Sequence, residues 1–250
     1  MVFPEQILSN KTHIAISTFK EMDFSAIEKL GLPIELMMEN AGLHLARLLA
    51  SQSGKPGKIL IGIGKGNNGG GGLVAARRLS AWGFDVYLYL PGDKLNELPK
   101  KQFNRAIAFG AKTTELNDSS VANIDCDIFV DAFMGFSQRL PIPGQIKQVL
   151  KIISTSGTKT ISLDLPTGFN KDNMEMPFKP DTILTMAAMK TELIPLLCST
   201  NIFIADIGIP ASVYSEFGME YPAQFTESGI VPKAVLSESK RTYKTFYLMC

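Results

Sequence analysis

KILIGIGKGNNGGGGLVAARRLSAWG, residues 58–83, reads as strand, glycine loop and helix. Lys58 to Ile63 is short and aliphatic, as suits a strand buried on both faces of a parallel sheet. Seven of the eleven residues from Gly62 to Gly72 are glycine, so the backbone there can lie close against a ligand. Gly72, Ala75, Ala76 and Leu79 then recur at helical spacing, a small-residue stripe that packs on a sheet. Gly83 stands where a glycine ends a helix. A strand that feeds a glycine loop and a helix N-terminus aims free N–H groups and a positive dipole end at one spot, which suits a phosphate or another anion.

Gly64-Lys-Gly66-Asn-Asn-Gly69 satisfies G-x-G-x-x-G, a cheap match in glycine-rich sequence. The dinucleotide fingerprint also requires an acid closing the second strand. That strand, Asp85 to Leu90, runs into Pro91-Gly92, and Asp93 comes too late. An ordinary NAD-dependent dehydrogenase therefore fails, and so does a P-loop, since no Gly-Lys-Ser/Thr follows. A tight βα turn without a ligand is the plain alternative. Asn67 and Asn68 weigh against it, because a plain turn has no need of paired side-chain amides.

The bulk of the chain bounds the rest. Its 250 residues suffice for one α/β domain with a sizeable core, and 45% hydrophobic with 20% charged residues is ordinary for a globular protein. A net charge of +1 without a Lys/Arg run implies neither nucleic acid nor an acidic membrane as partner. Apolar runs are too short to span a membrane, and no secretory signal is visible at the start. Cys126, Cys198 and Cys250 are odd in number and far apart, which fits a reducing cytoplasm better than a disulfide scaffold or a zinc site.

Residues 1–15 read as a loose arm. Ser17 to Leu30 reads as a helix, and a second starts at Pro33 and runs to about Ser51. His44 flanks the second helix's apolar stripe, as a packed or solvent-edge histidine does. After Asp85–Leu90 come a helix near Leu98–Phe109 and a short strand near Lys112–Leu116. A buried strand then ends at Asp131, Gly144 to Ser154 reads as a helix, and Lys159 to Asp164 is a strand ending in an acid. Asp181–Met186 and Asn201–Ile207 follow as strands. Residues 208–250 show little periodicity and are expected to wrap the surface. Alternating strands and helices predict a single domain with a parallel, doubly wound sheet.

In such a sheet the ligand crevice lies outside the carboxyl ends of the strands. Asn67-Asn68, Asp131 and Asp164 gather there. A lone strand-end aspartate is usually a turn or cap residue; two beside an Asn pair point to a site. With Thr167 these oxygen donors suit a hard cation, and a remaining acid suits general acid–base work. No His or Cys joins them, which disfavours a triad hydrolase or a zinc enzyme.

Five segments together resemble the NAD(P)H-hydrate epimerase family, the YjeF N-terminal domain. They are Met38-Glu-Asn-Ala-Gly42, Gly64-Lys-Gly66-Asn-Asn-Gly-Gly70, Val130-Asp-Ala-Phe-Met-Gly135, Ser162-Leu-Asp-Leu-Pro-Thr-Gly168 and Ala205-Asp-Ile-Gly-Ile-Pro210. The similarity runs in order from about residue 15 to 217, leaving a tail from 218 to 250. It implies a Rossmann-like three-layer α/β/α sandwich, often a homodimer, that interconverts the R and S epimers of hydrated NADH and NADPH for a separate dehydratase. By position, Asn68, Asp131 and Thr167 would hold a potassium ion. Asn67 and Asn68 with Gly69, Gly70 and Gly71 would contact the hydrated dinucleotide. So would Gly135, Phe136, Ser137, Gln138, Arg139, Leu140 and Pro141, together with Asp164. Asp164 is the expected acid–base residue, with Lys190 stabilising charge.

One departure stands out. The family pattern reads Gly-Asn-Asn-Gly-Gly-Asp-Gly, and the Asp position here is Gly71. A carboxylate at a helix start contributes about 0.3–1 kcal/mol through the dipole. Two readings follow: a working epimerase, or a catalytically impaired member that binds a nucleotide-like ligand or a protein partner.

Overall fold

The computed structural model of the chain describes residues 4–53, 57–92, 94–114, 126–226 and 233–235. The opening stretch folds as its composition dictates: strand β3 (Lys58–Ile63) feeds helix α3 (Asn67–Ala81). Helices α1 (Ile16–Leu30) and α2 (Ile34–Ser53) precede it. Strand β4 (Asp85–Tyr89), helix α4 (Glu97–Ala108) and strand β5 (Lys112–Thr114) follow. Then come β6 (Ile128–Ala132), α5 (Gly144–Ser156), β7 (Lys159–Leu163) and β8 (Thr182–Met186). Strand β10 (Asn201–Ala205) and a short helix α6 (Ala211–Glu216) complete the alternating series.

The central sheet runs β10-β8-β7-β6-β3-β4-β5, all parallel. The chain starts at β3, winds outward through β4 and β5, then crosses back to β6 and continues the other way. The order therefore reverses between β3 and β6, and a doubly wound sheet opens its crevice at such a switch point.

Alternation along each strand explains the three layers. Ile59, Ile61 and Ile63 face α2 and α3, in one core with Leu45, Leu49, Leu73 and Leu79. Leu60 and Phe129 face the other way and pack on Ile146, Val149, Leu150 and Ile153 of α5. Those four recur at helical spacing, and burying each contributes about 1.5–3 kcal/mol. Truncating Leu150 to Ala would cost roughly 2–5 kcal/mol.

Two readings of the ends need correction. The arm 1–15 is not loose where it is described: β1 (Glu5–Ile7) pairs with β11 (Lys233–Val235), and β2 (His13–Ile14) pairs with β9 (Met189–Lys190). The stretch from 208 does not simply wrap the surface. It forms α6 and then β11, which adds to the sheet antiparallel to β10 and buries Ala234 and Val235. Strands of two or three residues carry no readable period, and long-range pairing alone makes them strands. Residues 191–198, between β9 and β10, form a 3-10 turn whose Leu193 and Leu196 cap a third core. Among the described residues no helix is long and apolar enough to cross a membrane.

Candidate active site

The two loops at the switch point touch through backbone. A Cβ on Gly64 would overlap the carbonyl of Phe133, so the β3 and β6 loops meet this closely only because residue 64 is glycine. Helix α3 starts at Gly66 with no side chain capping it. Its first N–H groups and its dipole end therefore face the crevice, where Gly66, Asn67 and Asn68 form part of the wall. The crevice is a cleft of about 1120 Å³. Apolar Ile34, Met37, Met38 and Ala41 line one side, and Lys65, Lys94 and Arg139 add positive charge.

Asp131 sits one residue before the end of β6, wholly buried. Its Oδ1 accepts from the Thr167 hydroxyl at 2.6 Å and the Phe133 N–H at 3.3 Å. Its Oδ2 accepts from the Thr167 N–H at 2.8 Å and the Ser162 hydroxyl at 2.9 Å. Asp131 thus ties the turn after β7 to β6. Burial pushes its pKa up to about 6 against the pull of those hydrogen bonds, and no cationic side chain offsets that burial. Thr167 also accepts from the Met134 N–H at 3.1 Å. Asn68 donates from Nδ2 to the Leu163 carbonyl at 3.2 Å, so its oxygen is turned toward Gly135. Asp131 and Thr167 are bonded to each other and do not line the cleft, whereas Asn68 does; all three offer oxygen, the donor type of a hard cation and not of zinc.

Asp164 follows β7 directly and has φ +70°, a left-handed conformation that costs a non-glycine residue on the order of 1–3 kcal/mol. The bend turns its carboxyl into the cleft wall. Oδ2 accepts from the Phe136 N–H at 2.6 Å. Oδ1 is buried without a hydrogen-bond partner, 4.0 Å from Lys190 Nζ. A Cβ on Gly135 would stand 2.5 Å from Oδ2, so glycine is needed where the next loop passes the carboxylate. Gln138 stitches that loop to the same turn, donating to the Pro166 carbonyl at 3.2 Å and accepting from the Gly168 N–H at 2.6 Å. Burial raises the Asp164 pKa, and the Lys190 charge and backbone donors oppose it.

Lys190 lies behind Asp164, fully buried and off the cleft wall. Its ammonium donates to the Met186 carbonyl and to the Ala188 carbonyl at 3.2 Å, and sits 3.4 Å from the centre of the Phe19 ring. Burial lowers its pKa to about 8, against the attraction of Asp164, Asp23 and Glu192.

The remaining expected residues divide plainly. Asn67, Asn68, Gly71, Gly135, Phe136, Ser137, Gln138, Arg139 and Pro141 line the cleft with Asp164. Gly69 and Gly70 are buried in α3, and Leu140 is 48% exposed beyond the wall. At Gly71 a Cβ would meet only Leu163 Cδ2 at 3.1 Å and Ala41 Cβ at 3.9 Å. His44 is half-buried with its pKa lowered by burial, and does not line the cleft.

Asp23 on α1 is the carboxylate on the wall that sequence reasoning missed, along with the lysines Lys65 and Lys94. Burial raises its pKa to about 6. The available signal was an acid set between Met22 and Ala26 on the helix's buried face.

With this geometry in hand, comparison with known proteins is specific. Residues 34–192 match the family described as YjeF-related protein N-terminus. An NAD(P)H-hydrate epimerase of Dehalogenimonas lykanthroporepellens is 33% identical over 216 residues, covering 84% of this chain and 87% of its own. One of Caenorhabditis briggsae is 28% identical over 225 residues, covering 86% and 93%. A bifunctional NAD(P)H-hydrate repair enzyme, Nnr, of Thermofilum pendens is 37% identical over 164 residues, which are 63% of this chain and 31% of its own. The crystal structure of yeast ynu0 shares the fold, with a TM-score of 0.79 at 22% identity over 88% of this chain and 99% of its own.

Proposed function

We propose a function from one premise: the chain belongs to the YjeF-related protein N-terminus family. It is an NAD(P)H-hydrate epimerase, an isomerase that interconverts the R and S epimers of hydrated NADH and NADPH. Relatives bearing that name in bacteria and a nematode align over most of both chains. The observation that carries the reading to the chemistry is Asp164. Its carboxyl is hydrogen-bonded on one oxygen, faces the Lys190 charge on the other, and is placed on the wall of a cleft large enough for a dinucleotide.

The hydrate is a carbinolamine, whose hydroxyl carbon is bonded to the ring nitrogen. Protonating the hydroxyl, or opening the ring, removes the stereocentre, and re-addition from either face resets it. Asp164 moves the proton: burial raises its pKa above the ordinary carboxylate value, which favours a carboxyl that can give a proton as well as take one. Lys190 does not touch the ring; its charge keeps the Asp164 proton labile. The α3 N-terminus and Lys65 and Arg139 at the rim hold the phosphates.

Asn68, Asp131 and Thr167 would hold potassium, whose charge would keep the buried Asp131 ionised. The protein works in the cytoplasm as a homodimer, with a separate dehydratase taking its product. Exposed Phe24, Leu30, Ile34 and Leu36 on α1 and α2 support self-association. Gly71 removes a carboxylate but leaves Asp164 and Lys190 in place, so nothing favours a binding-only role. Chiral chromatography of the separated hydrates, with and without the protein, tests the reading.

A further inference from the structure

Helix α1 brings a second carboxylate to the cleft. Phe19, Met22 and Ala26 are buried without any exposure, and Asp23 stands one helical turn after Phe19 on the cleft wall. Among the described residues no hydrogen bond holds its carboxyl.

Three contacts fix this helix against the Asp164–Lys190 pair. Strand β2, just ahead of α1, pairs with β9 so that Ile14 lies beside Lys190. The Ile16 N–H at the start of α1 donates to both oxygens of Glu192, at 3.0 and 3.1 Å. The Phe19 ring lies under the Lys190 ammonium and packs edge-on to Phe136 at 5.2 Å, and the Phe136 N–H holds Asp164. Asp23 and Asp164 thereby line one cleft from two separate elements, α1 and the turn after β7.

Inverting a carbinolamine carbon takes the oxygen away on one face of the ring and returns it on the other. A single carboxyl serves one face. We propose that Asp23 is a second catalytic acid–base residue, serving the ring face that Asp164 does not reach. This assignment rests on the epimerase reading above.

The step balances without a co-reactant. The protonated carboxyl on one face gives its proton to the hydroxyl. The C–O bond breaks, the ring nitrogen's lone pair forms C=N⁺, and water departs. A water on the other face adds to that carbon, the π pair returns to nitrogen, and the opposite carboxylate takes a proton. One proton has passed from one aspartate to the other, and the reverse reaction restores it. Burial raises both pKa values, and Lys190 lies within electrostatic reach of both groups, which suits two carboxyls that each give and take a proton.

The test uses each purified hydrate in oxygen-18 water, following epimerisation and isotope uptake together by chiral separation and mass spectrometry. Wild type should epimerise and incorporate the label. Asp23→Asn and Asp164→Asn should each lose epimerisation by about 10²-fold or more. Each should still exchange oxygen into one epimer, and not the same one, because the remaining carboxyl works its own face. Asp23→Ser must reproduce the Asn result with an unchanged circular dichroism spectrum, and Asp23→Glu should regain part of the rate. An Asp23→Asn protein that epimerises like wild type overturns the assignment, as does exchange into the same epimer by both variants or into neither by Asp23→Asn. A wild type that does not epimerise overturns the functional reading, and this assignment with it.

Discussion

Lys190 Nζ and Asp164 Oδ1 lie 4.0 Å apart with side chains only 0% and 4% exposed. Each shifts away from its ordinary value toward the neutral form, because burial outweighs the attraction between them. The ammonium is held by the Met186 and Ala188 carbonyls and faces Asp164 without a hydrogen bond, so it acts on that carboxyl through its charge.

Lys190→Met removes the charge that draws the Asp164 pKa down. The Asp164 limb of the kcat/KM pH profile should move to higher pH, and the rate at neutral pH should fall on the order of tenfold for each unit moved. A profile unchanged in position would show that Lys190 only supports the fold.

Asp23 gives a stability test with a definite sign. Its folded pKa of about 6 exceeds its ordinary 3.8. Between those values the folded chain keeps a proton that the unfolded chain has released, so this contribution is full below about pH 4 and is lost as pH rises through about 6. Urea unfolding should find Asp23→Asn close to wild type at pH 4 and more stable by about 1–3 kcal/mol at pH 7. An equal difference at both pH values would contradict it.

Gly71→Asp restores the family carboxylate. Its Cβ would press only on the end of the Leu163 side chain, which can give. Replacing a helix glycine by Asp gains only about 0.3 kcal/mol, since Asp is itself a poor helix former, and a carboxylate near a helix start adds about 0.3–1 kcal/mol. The variant should unfold at higher denaturant and keep or raise its epimerase rate. Destabilisation by more than 1 kcal/mol on the same scale would mean that the α2–α3 contact requires glycine.

Potassium binding at Asn68, Asp131 and Thr167 predicts a melting temperature that rises with potassium but not with a bulky organic cation at matched ionic strength. Asp131→Asn should blunt the rise. Identical responses to both cations would rule the site out.

The legibility of the sequence followed the physics of each element. The β3–α3 unit was readable because an aliphatic run, a glycine cluster and a small-residue stripe each permit little else. Asp131 and Asp164 were readable because acids ending buried strands point to one edge of a parallel sheet. Asp23 was not, since an acid beside a helix's apolar face looks like an ordinary flank until β2 and β9 set that helix over the cleft. Strands β1, β2, β9 and β11 were invisible at two or three residues each. The burial of Lys190 was equally hidden, because Ala187 at φ +57° makes the turn that carries it inward.

The most direct test of the account is epimerisation by Asp164→Asn beside wild type, measured by chiral chromatography in saturating potassium, with hydrate binding followed in parallel. The site predicts that wild type accelerates interconversion well above the buffer rate. It predicts that the variant loses nearly all of that acceleration, about 10²–10⁴-fold, while folding and binding as before. A variant that binds and still epimerises at the wild-type rate would contradict the assignment of Asp164 as the group that moves the proton.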